Sequence, residues 1–339
     1  MKAMILAAGY GTRLRPLTYS MPKPMVEICN RPLIGYAVEG FSRGGVREII
    51  VNLHHLPEAI ERYLQEAYGN QVKFHFSFEP EILGTGGGVR KVRPLLESDE
   101  AFYLVNGDTI QFPQYEKLQA ARRAKDALAA LTLRHPPEND RFTAVYFSDG
   151  EITGFGKGHG EALMFSGSHL ISSRIFQYLP DKEFSGIVTE VYEPVIESKK
   201  EKVAGIVDDG PWFDIGTPQR LISAAGSVLD MTIAGQIPVV PASKLHGDCV
   251  IDESATVLGK LSRTSVGARS VVKGDVRNSI IGRDCRITGD VVLDSCIVGP
   301  GVEIRTPMTL RSALICEEDQ SIFREPGYRY ERGLVIADF

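Results

Sequence analysis

Met4-Ile5-Leu6-Ala7-Ala8-Gly9-Tyr10-Gly11-Thr12-Arg13-Leu14-Arg15-Pro16-Leu17-Thr18-Tyr19-Ser20-Met21-Pro22-Lys23-Pro24 sets an apolar run directly before two glycines, two arginines and a lysine. Ala3 to Ala8 is short, apolar and unbroken, which suits a strand buried on both faces of a parallel sheet. Gly9 and Gly11 free the backbone to turn sharply and to aim N–H groups into a concavity that admits an anion. Arg13 and Arg15 add forked donors matched to phosphate oxygens. Lys23 stands between Pro22 and Pro24, a stiff segment that presents its ammonium at low entropic cost. Together they predict a polyphosphate site. Two other phosphate loops do not fit. A Walker loop ends in Gly-Lys-Ser/Thr, whereas Thr12 and Arg13 follow Gly11, and a dinucleotide fingerprint needs a third glycine where Leu14 stands.

Outward from this stretch, strands alternate with amphipathic helices to about residue 228, the pattern of an α/β domain with a mostly parallel sheet. Glu48 to Leu53 reads as a strand. Pro57 to Tyr68 reads as a helix with Ala59, Ile60, Tyr63, Leu64 and Ala67 on one face. Val72 to Phe78 alternates, Ala101 to Val105 is a buried strand, Tyr115 to Ala124 is helical and Ala127 to Leu133 is a strand. Residues 229–245, with Pro238 and Pro241, read as a linker. From 246 to about 310 helical patterning vanishes, and Val266-Gly267, Ile281-Gly282 and Val298-Gly299 echo one another 15 and 17 residues apart. That is the hexapeptide signature of a parallel β-helix with coils of about 18 residues. Residues 311–339 carry no assignable pattern.

The 339 residues are 43% hydrophobic and 24% charged, enough for a full core and two domains. A net charge of −5 argues against a general nucleic-acid surface, so the anion site is local. With no leader pattern and no apolar run long enough to span a bilayer, the expected address is the cytoplasm, without a membrane partner. Cys29, Cys249, Cys285, Cys296 and Cys316 show no C-x-x-C and read as buried reduced thiols. The histidines show no metal spacing.

Other residues carry chemistry. Asp108 closes Asn106-Gly107-Asp108 at the carboxyl end of a strand, where ligands bind in open α/β sheets; it suits either Mg²⁺ or a turn cap. Asp214 lies in Trp212-Phe213-Asp214-Ile215-Gly216-Thr217, and two aspartates sharing a cation with a phosphate would offset the cost of burying them. Leu83-Gly84-Thr85-Gly86-Gly87-Gly88 reads as backbone brought close to a flat ring, or as a surface loop. Lys157, within Gly154-Phe155-Gly156-Lys157-Gly158, is a second anion point or a solvated side chain. Phe165-Ser166-Gly167 suggests a tight backbone contact.

With these motifs in hand, the chain resembles the sugar-1-phosphate nucleotidylyltransferases, or nucleoside-diphosphate-sugar pyrophosphorylases, over residues 1 to about 225. The resemblance rests on Leu6 to Leu14 with Met21-Pro22-Lys23-Pro24. Gly84 to Gly87, Asn106-Gly107-Asp108, Phe165-Ser166-Gly167 and Trp212 to Thr217 follow in the family's order. It implies a Rossmann-like sheet of the nucleotidyltransferase A type followed by a left-handed parallel β-helix. Leu6, Ala7, Ala8, Gly9, Gly11, Thr12 and Arg13 would clasp a nucleoside triphosphate, with Arg13 on the departing pyrophosphate and Lys23 near the reacting phosphates. Asp108 and Asp214 would hold Mg²⁺, and Gly86 and Gly87 would flank the base. Lys157 would hold the phosphate of a sugar 1-phosphate, while Gly167 and Glu190 would contact the sugar. The family usually has Glu-Lys-Pro where Gly156-Lys157-Gly158 stands. The resemblance leans toward GTP and mannose 1-phosphate, with uridylyl or thymidylyl transfer as the alternative, and toward copies that associate through the β-helix. Rival readings are an acyltransferase, from the β-helix; an inactive nucleotide-sugar-binding regulatory subunit, against which Arg13, Lys23, Asp108 and Asp214 are all retained; and an oxidoreductase, disfavoured by Leu14.

Overall fold

The computed structural model describes residues 1–137, 142–319, 321 and 324–339. The chain forms two compact units: Met1–Gly9 with Ile34–Trp212, and Tyr10–Leu33 with Phe213–Phe339. The division therefore does not fall at residue 228. Residues 10–33 pack with the C-terminal part, where Asn30 Nδ2 donates to the Val266 carbonyl (2.9 Å) and Arg31 to the Pro238 carbonyl (2.9 Å).

Among the described residues, the first unit is built on a nine-stranded sheet. Its strands are β1 (Ala3–Leu6), β2 (Glu48–Leu53), β3 (Lys73–Phe78), β4 (Ala101–Asn106), β5 (Ala129–Arg134), β6 (Val145–Ser148), β7 (Glu151–Phe155), β8 (Glu161–Ser172) and β9 (Val203–Val207). Their order is β3-β2-β1-β4-β8-β5-β9-β7-β6. The first four are parallel, as expected for strands apolar on both faces. Beyond them β8 runs antiparallel to both β4 and β5. Strand order reverses between β1 and β4, and the crevice outside the carboxyl ends at such a switch point is where α/β sheets bind ligands. Helix Pro57–Tyr68 forms where its apolar period predicts and buries Ile60 and Leu64.

The second unit holds the β-helix. Three stacks of short parallel strands run through it, and Val250, Ser265, Ile280, Ile297 and Leu314 lie in register. Successive coils are thus 15 and then 17 residues long, shorter than the expected 18. Most strands are only two residues, and two corners of each coil turn in one left-handed residue. Arg263, Asn278, Ser295 and Ser312 serve one corner, and Arg269, Asp284 and Gly301 the other. The residue after each points inward, and all but Val302 are small. Ser270 Oγ accepts from Cys285 N (2.9 Å), Ser279 Oγ accepts from Cys296 N (3.0 Å), and the Cys285 thiol donates to the Gly299 carbonyl (3.2 Å). The cysteines are buried, free thiols, and burial pushes Cys285 up to about 12 and Cys296 to about 11.

Helix Pro218–Ile233 continues into the segment read as a linker, burying Leu229 and Thr232 before Gly235 ends it. The unassigned tail is structured. Strand Leu334–Asp338 pairs antiparallel with the last coil strand, Ala313–Glu317, and with Arg329–Glu331 on its other edge.

His169, at the centre of β8, is fully buried beside the Tyr192 hydroxyl (Nδ1···Oη 2.9 Å), and burial pushes its pKa down to about 3. Between pH 6.5 and 5 the unfolded chain takes up a proton here that the folded chain refuses. The contribution of this group to stability therefore falls by about 1 to 2 kcal/mol over that interval. Denaturant titrations of the wild type and His169→Gln at both pH values check this, since the variant should lose that part of the slope.

Candidate functional site

In the first unit β1 delivers Ala7 and Ala8 to the switch point. The Ala7 N–H donates to Asn52 Oδ1 (2.8 Å), Asn52 Nδ2 donates to Glu79 Oε1 (2.8 Å), and Glu79 Oε2 accepts from Leu83 N (3.0 Å). Asn52 and Glu79 are each 3% exposed, so the relay runs through the interior. It fixes the backbone after β1 relative to the glycine segment at 84. Sequence reasoning missed both residues; the available signal was one Asn in an otherwise apolar strand.

Gly107 donates its N–H to the Leu6 carbonyl (2.8 Å), and a Cβ there would lie 2.9 Å from Ile5 Cγ2. That close approach brings half-exposed Asp108 to the carboxyl end of β4 beside β1. Gly167 lies across the same end. Its φ is +94°, a Cβ would meet Asn106 Nδ2 at 2.9 Å, and the β8–β5 ladder shifts register between Phe165 and His169. Such a bulge re-aims backbone next to a site.

Gly84–Lys91 is a helix, not the loop that its glycines suggest. Its first amides are engaged: Gly86 N and Gly87 N both donate to the Ser185 carbonyl (2.8 and 3.3 Å). A Cβ on Gly87 would lie 2.2 Å from the Glu183 carbonyl oxygen, so the glycines serve close packing on residues 183–187. Glu190 follows in a single π-helical turn, Val188–Tyr192, and pairs with Lys182 (2.5 Å), which holds its carboxyl below the usual carboxylate range. Gly86, Gly87 and Glu190 thus belong to one local neighbourhood. Lys157 is 84% exposed on the connection between β7 and β8 and is paired with Glu197 (2.8 Å). Its flanking glycines shape that connection, which passes close to β6, since a Cβ on Gly158 would meet Tyr146 Cβ at 2.6 Å.

The second unit holds the other candidate residues. Gly11 is left-handed (φ +65°), and a Cβ there would lie 2.7 Å from Lys23 Cβ, so the lysine stem packs on bare backbone. Thr18 Oγ1 closes the turn by donating to the Gly11 carbonyl (2.9 Å). Between them Thr12–Leu14 makes one 3₁₀ turn that buries Leu14 and leaves Thr12 and Arg13 exposed. Lys23 itself is only 6% exposed. Asp214 pairs with Arg220, which reaches back from the first turn of helix Pro218–Ile233. Gly216 sits among these charges: a Cβ on it would be 2.8 Å from Arg13 Nη1 and 3.1 Å from Asp214 Oδ2. Arg220 is a further residue that sequence reasoning did not single out. Among the described residues no group of three or more His, Cys, Asp or Glu side chains is gathered for a metal. The carboxylates of Asp108 and Asp214 are hard oxygen donors of the kind Mg²⁺ accepts, with further ligands drawn from substrate phosphate and water.

The family model for nucleotidyl transferases matches residues 2–231. The chain belongs to this family. The chain is similar to the mannose-1-phosphate guanyltransferase of Eremothecium gossypii, at 27% identity over 90% of this chain and 92% of that protein. It is also similar to the UTP–glucose-1-phosphate uridylyltransferase of Synechocystis, at 27% identity over 90% and 86% of the two chains. The crystal structure of HddC from Yersinia pseudotuberculosis superposes with a TM-score of 0.56 at 25% identity, covering 67% of this chain and 99% of that one. No helix among the described residues is long and apolar enough to cross a membrane.

In this nucleotidyl transferase the space left by Gly216 lets the Arg13 guanidinium lie beside Asp214. A methyl group there displaces the far end of a flexible side chain, which costs little stability. Gly216→Ala should therefore change unfolding free energy by less than about 1 kcal/mol while weakening nucleoside triphosphate binding about tenfold. Calorimetric titration checks this, and unchanged affinity would remove Gly216 from the site.

Proposed function

We propose that this nucleotidyl transferase moves the nucleoside monophosphate of a triphosphate onto a sugar 1-phosphate, with GTP and mannose 1-phosphate as the preferred pair. The products are a nucleoside-diphosphate sugar and pyrophosphate. The observation that carries the reading is the turn at Gly11, where bare backbone accepts the Lys23 stem while Arg13 is exposed beside Gly216 and Asp214. Cations so placed suit a ligand whose charge is spread along several phosphates. The guanyltransferase relative supports the choice of base and sugar, and the uridylyltransferase relative supports UTP and glucose 1-phosphate as the second reading.

A sugar-phosphate oxygen attacks the α-phosphorus, a P–O bond forms, and the bond to the bridging oxygen breaks with its electron pair leaving on pyrophosphate. The sugar phosphate is largely dianionic at pH 7, its second pKa being about 6, so no general base is needed. The chain's task is alignment and charge cancellation. Arg13 meets the departing pyrophosphate and Lys23 the reacting phosphates. Ala7, Ala8, Gly9, Gly11 and Thr12 line the triphosphate, while Gly86 and Gly87 border the base. Gly167 and Glu190 contact the sugar, and Lys157 takes the sugar phosphate in exchange for Glu197. Asp108 and Asp214 hold Mg²⁺, which when bound supplies charge neutralisation on the phosphates. We assign the reaction to the cytoplasm, where the five free thiols stay reduced. We also propose that copies associate through the β-helix; light scattering should give a multiple of the monomer mass, and a monomer at micromolar concentration would contradict it.

Asp108→Asn should lower pyrophosphate release by about a hundredfold or more, the scale of several kcal/mol of lost charge stabilisation, with the melting temperature retained. Chelation of divalent metal should abolish wild-type turnover. A matrix of five nucleoside triphosphates against several sugar 1-phosphates tests the substrate pair. Faster turnover with UTP and glucose 1-phosphate than with GTP and mannose 1-phosphate would move the assignment to the uridylyl reading. Near-normal release by Asp108→Asn would take that carboxylate out of the mechanism.

A further inference from the structure

The second half of the phosphate-loop segment is gripped by the C-terminal tail. Arg15 Nη1 pairs with Glu325 Oε1 (3.5 Å), and its guanidinium lies over the Tyr19 ring, 4.8 Å from the centroid. The Tyr19 hydroxyl donates to the same Glu325 oxygen. Tyr328 donates its hydroxyl to the Arg15 carbonyl (3.2 Å). Glu325 is itself held, because its N–H donates to the Tyr330 hydroxyl (2.8 Å). Tyr330 belongs to Arg329–Glu331, which pairs with Leu334–Asp338, which in turn pairs with the last coil strand. A continuous ladder therefore connects the β-helix to Arg15, two residues beyond Arg13.

A single exposed ion pair contributes little, but here three tail side chains and two loop side chains share one network, in which the contacts reinforce one another. Apolar packing does not replace them at this point. A cavity of about 460 Å³ lies between Pro16, Tyr19 and Ser20 on one side and Glu317, Tyr328 and Tyr330 on the other.

We propose that Glu325 is a positioning residue for nucleotidyl transfer: through Arg15 and Tyr19 it fixes the turn that presents Arg13 to the triphosphate. The inference rests on the proposed reaction, and nothing in that reaction assigned the tail a role. The test uses the full-length protein with Glu325→Gln, which removes the charge, and Tyr328→Phe, which removes one hydroxyl. The control is Arg329→Gln, whose bridge to Asp338 (2.7 Å) stays within the tail. Expected for both variants is a rise of about tenfold in the KM for the triphosphate, below the hundredfold that misplacement by about 1 Å can cost. The KM for the sugar 1-phosphate should stay within about twofold and the melting temperature should hold, with Glu325→Asp recovering part of the loss. Amide hydrogen exchange across Gly11–Met21 should quicken while that of Ala101–Asn106 is unchanged. A triphosphate KM and an exchange rate matching wild type in both variants, or an equal effect from Arg329→Gln, would overturn the proposal. A wild-type protein that releases no pyrophosphate would count against the reaction instead, and the exchange measurement, which needs no substrate, would still decide whether Glu325 holds the turn.

Discussion

The contact between Gly11 and the stem of Lys23 is the constraint on which the turn bearing Arg13 depends. A residue with a Cβ at 11 would stand 2.7 Å from Lys23 Cβ and would also be forced into the left-handed region. With the methyl absent, Thr18 can reach the Gly11 carbonyl and close the turn, Leu14 can enter the core, and Arg13 is left outside. Hydrogen bonds, packing and exposure at this turn all follow from one missing side chain. Gly216 repeats the device on a smaller scale, making room for a guanidinium beside a carboxylate.

The β-helix meets a different problem, namely how to turn a chain three times per coil without stranding polar backbone inside. One left-handed residue makes each of two corners, and the residue after it, small in all but Val302, faces inward. At one corner Ser270 supports Cys285, and at the other Ser279 supports Cys296, each hydroxyl or thiol serving the backbone of a neighbouring coil. Two of the cysteines are therefore corner pieces, with burial holding their thiols protonated. The antiparallel strand Leu334–Asp338 then covers the edge of the final coil, which protects it from pairing with another chain.

Local pattern carried much of this architecture. The apolar run at Ala3, the helical period from Pro57 and the echo of Val266, Ile281 and Val298 are short-range signals, and each element forms where they place it. The relay through Asn52 and Glu79 was not legible, since one Asn in a strand looks the same whether or not a partner waits 27 residues away. The helix at 84–91 was not legible in its glycines, because their packing partners, the carbonyls of Glu183 and Ser185, lie about a hundred positions downstream. The spacing of the echoes already gave the coil length, and the expectation of about 18 overshot because corners of one residue shorten each coil below three full hexapeptides. Lys157 was legible as a cation, but its pairing with Glu197 depends on a helix turn that no spacing predicts.

Residues 10–33 emerge early in synthesis, yet they pack with residues 213–339. Asn30 waits for Val266, and Arg15 waits for Glu325 and Tyr328. During translation the sheet of the first unit can assemble while the turn bearing Arg13 still lacks its supports. Closure over so great a sequence separation is slow and comes late. A ribosome stalled before the β-helix is made would hold a chain whose residues 10–33 still lack the partners that Asn30 and Arg15 meet in the finished protein.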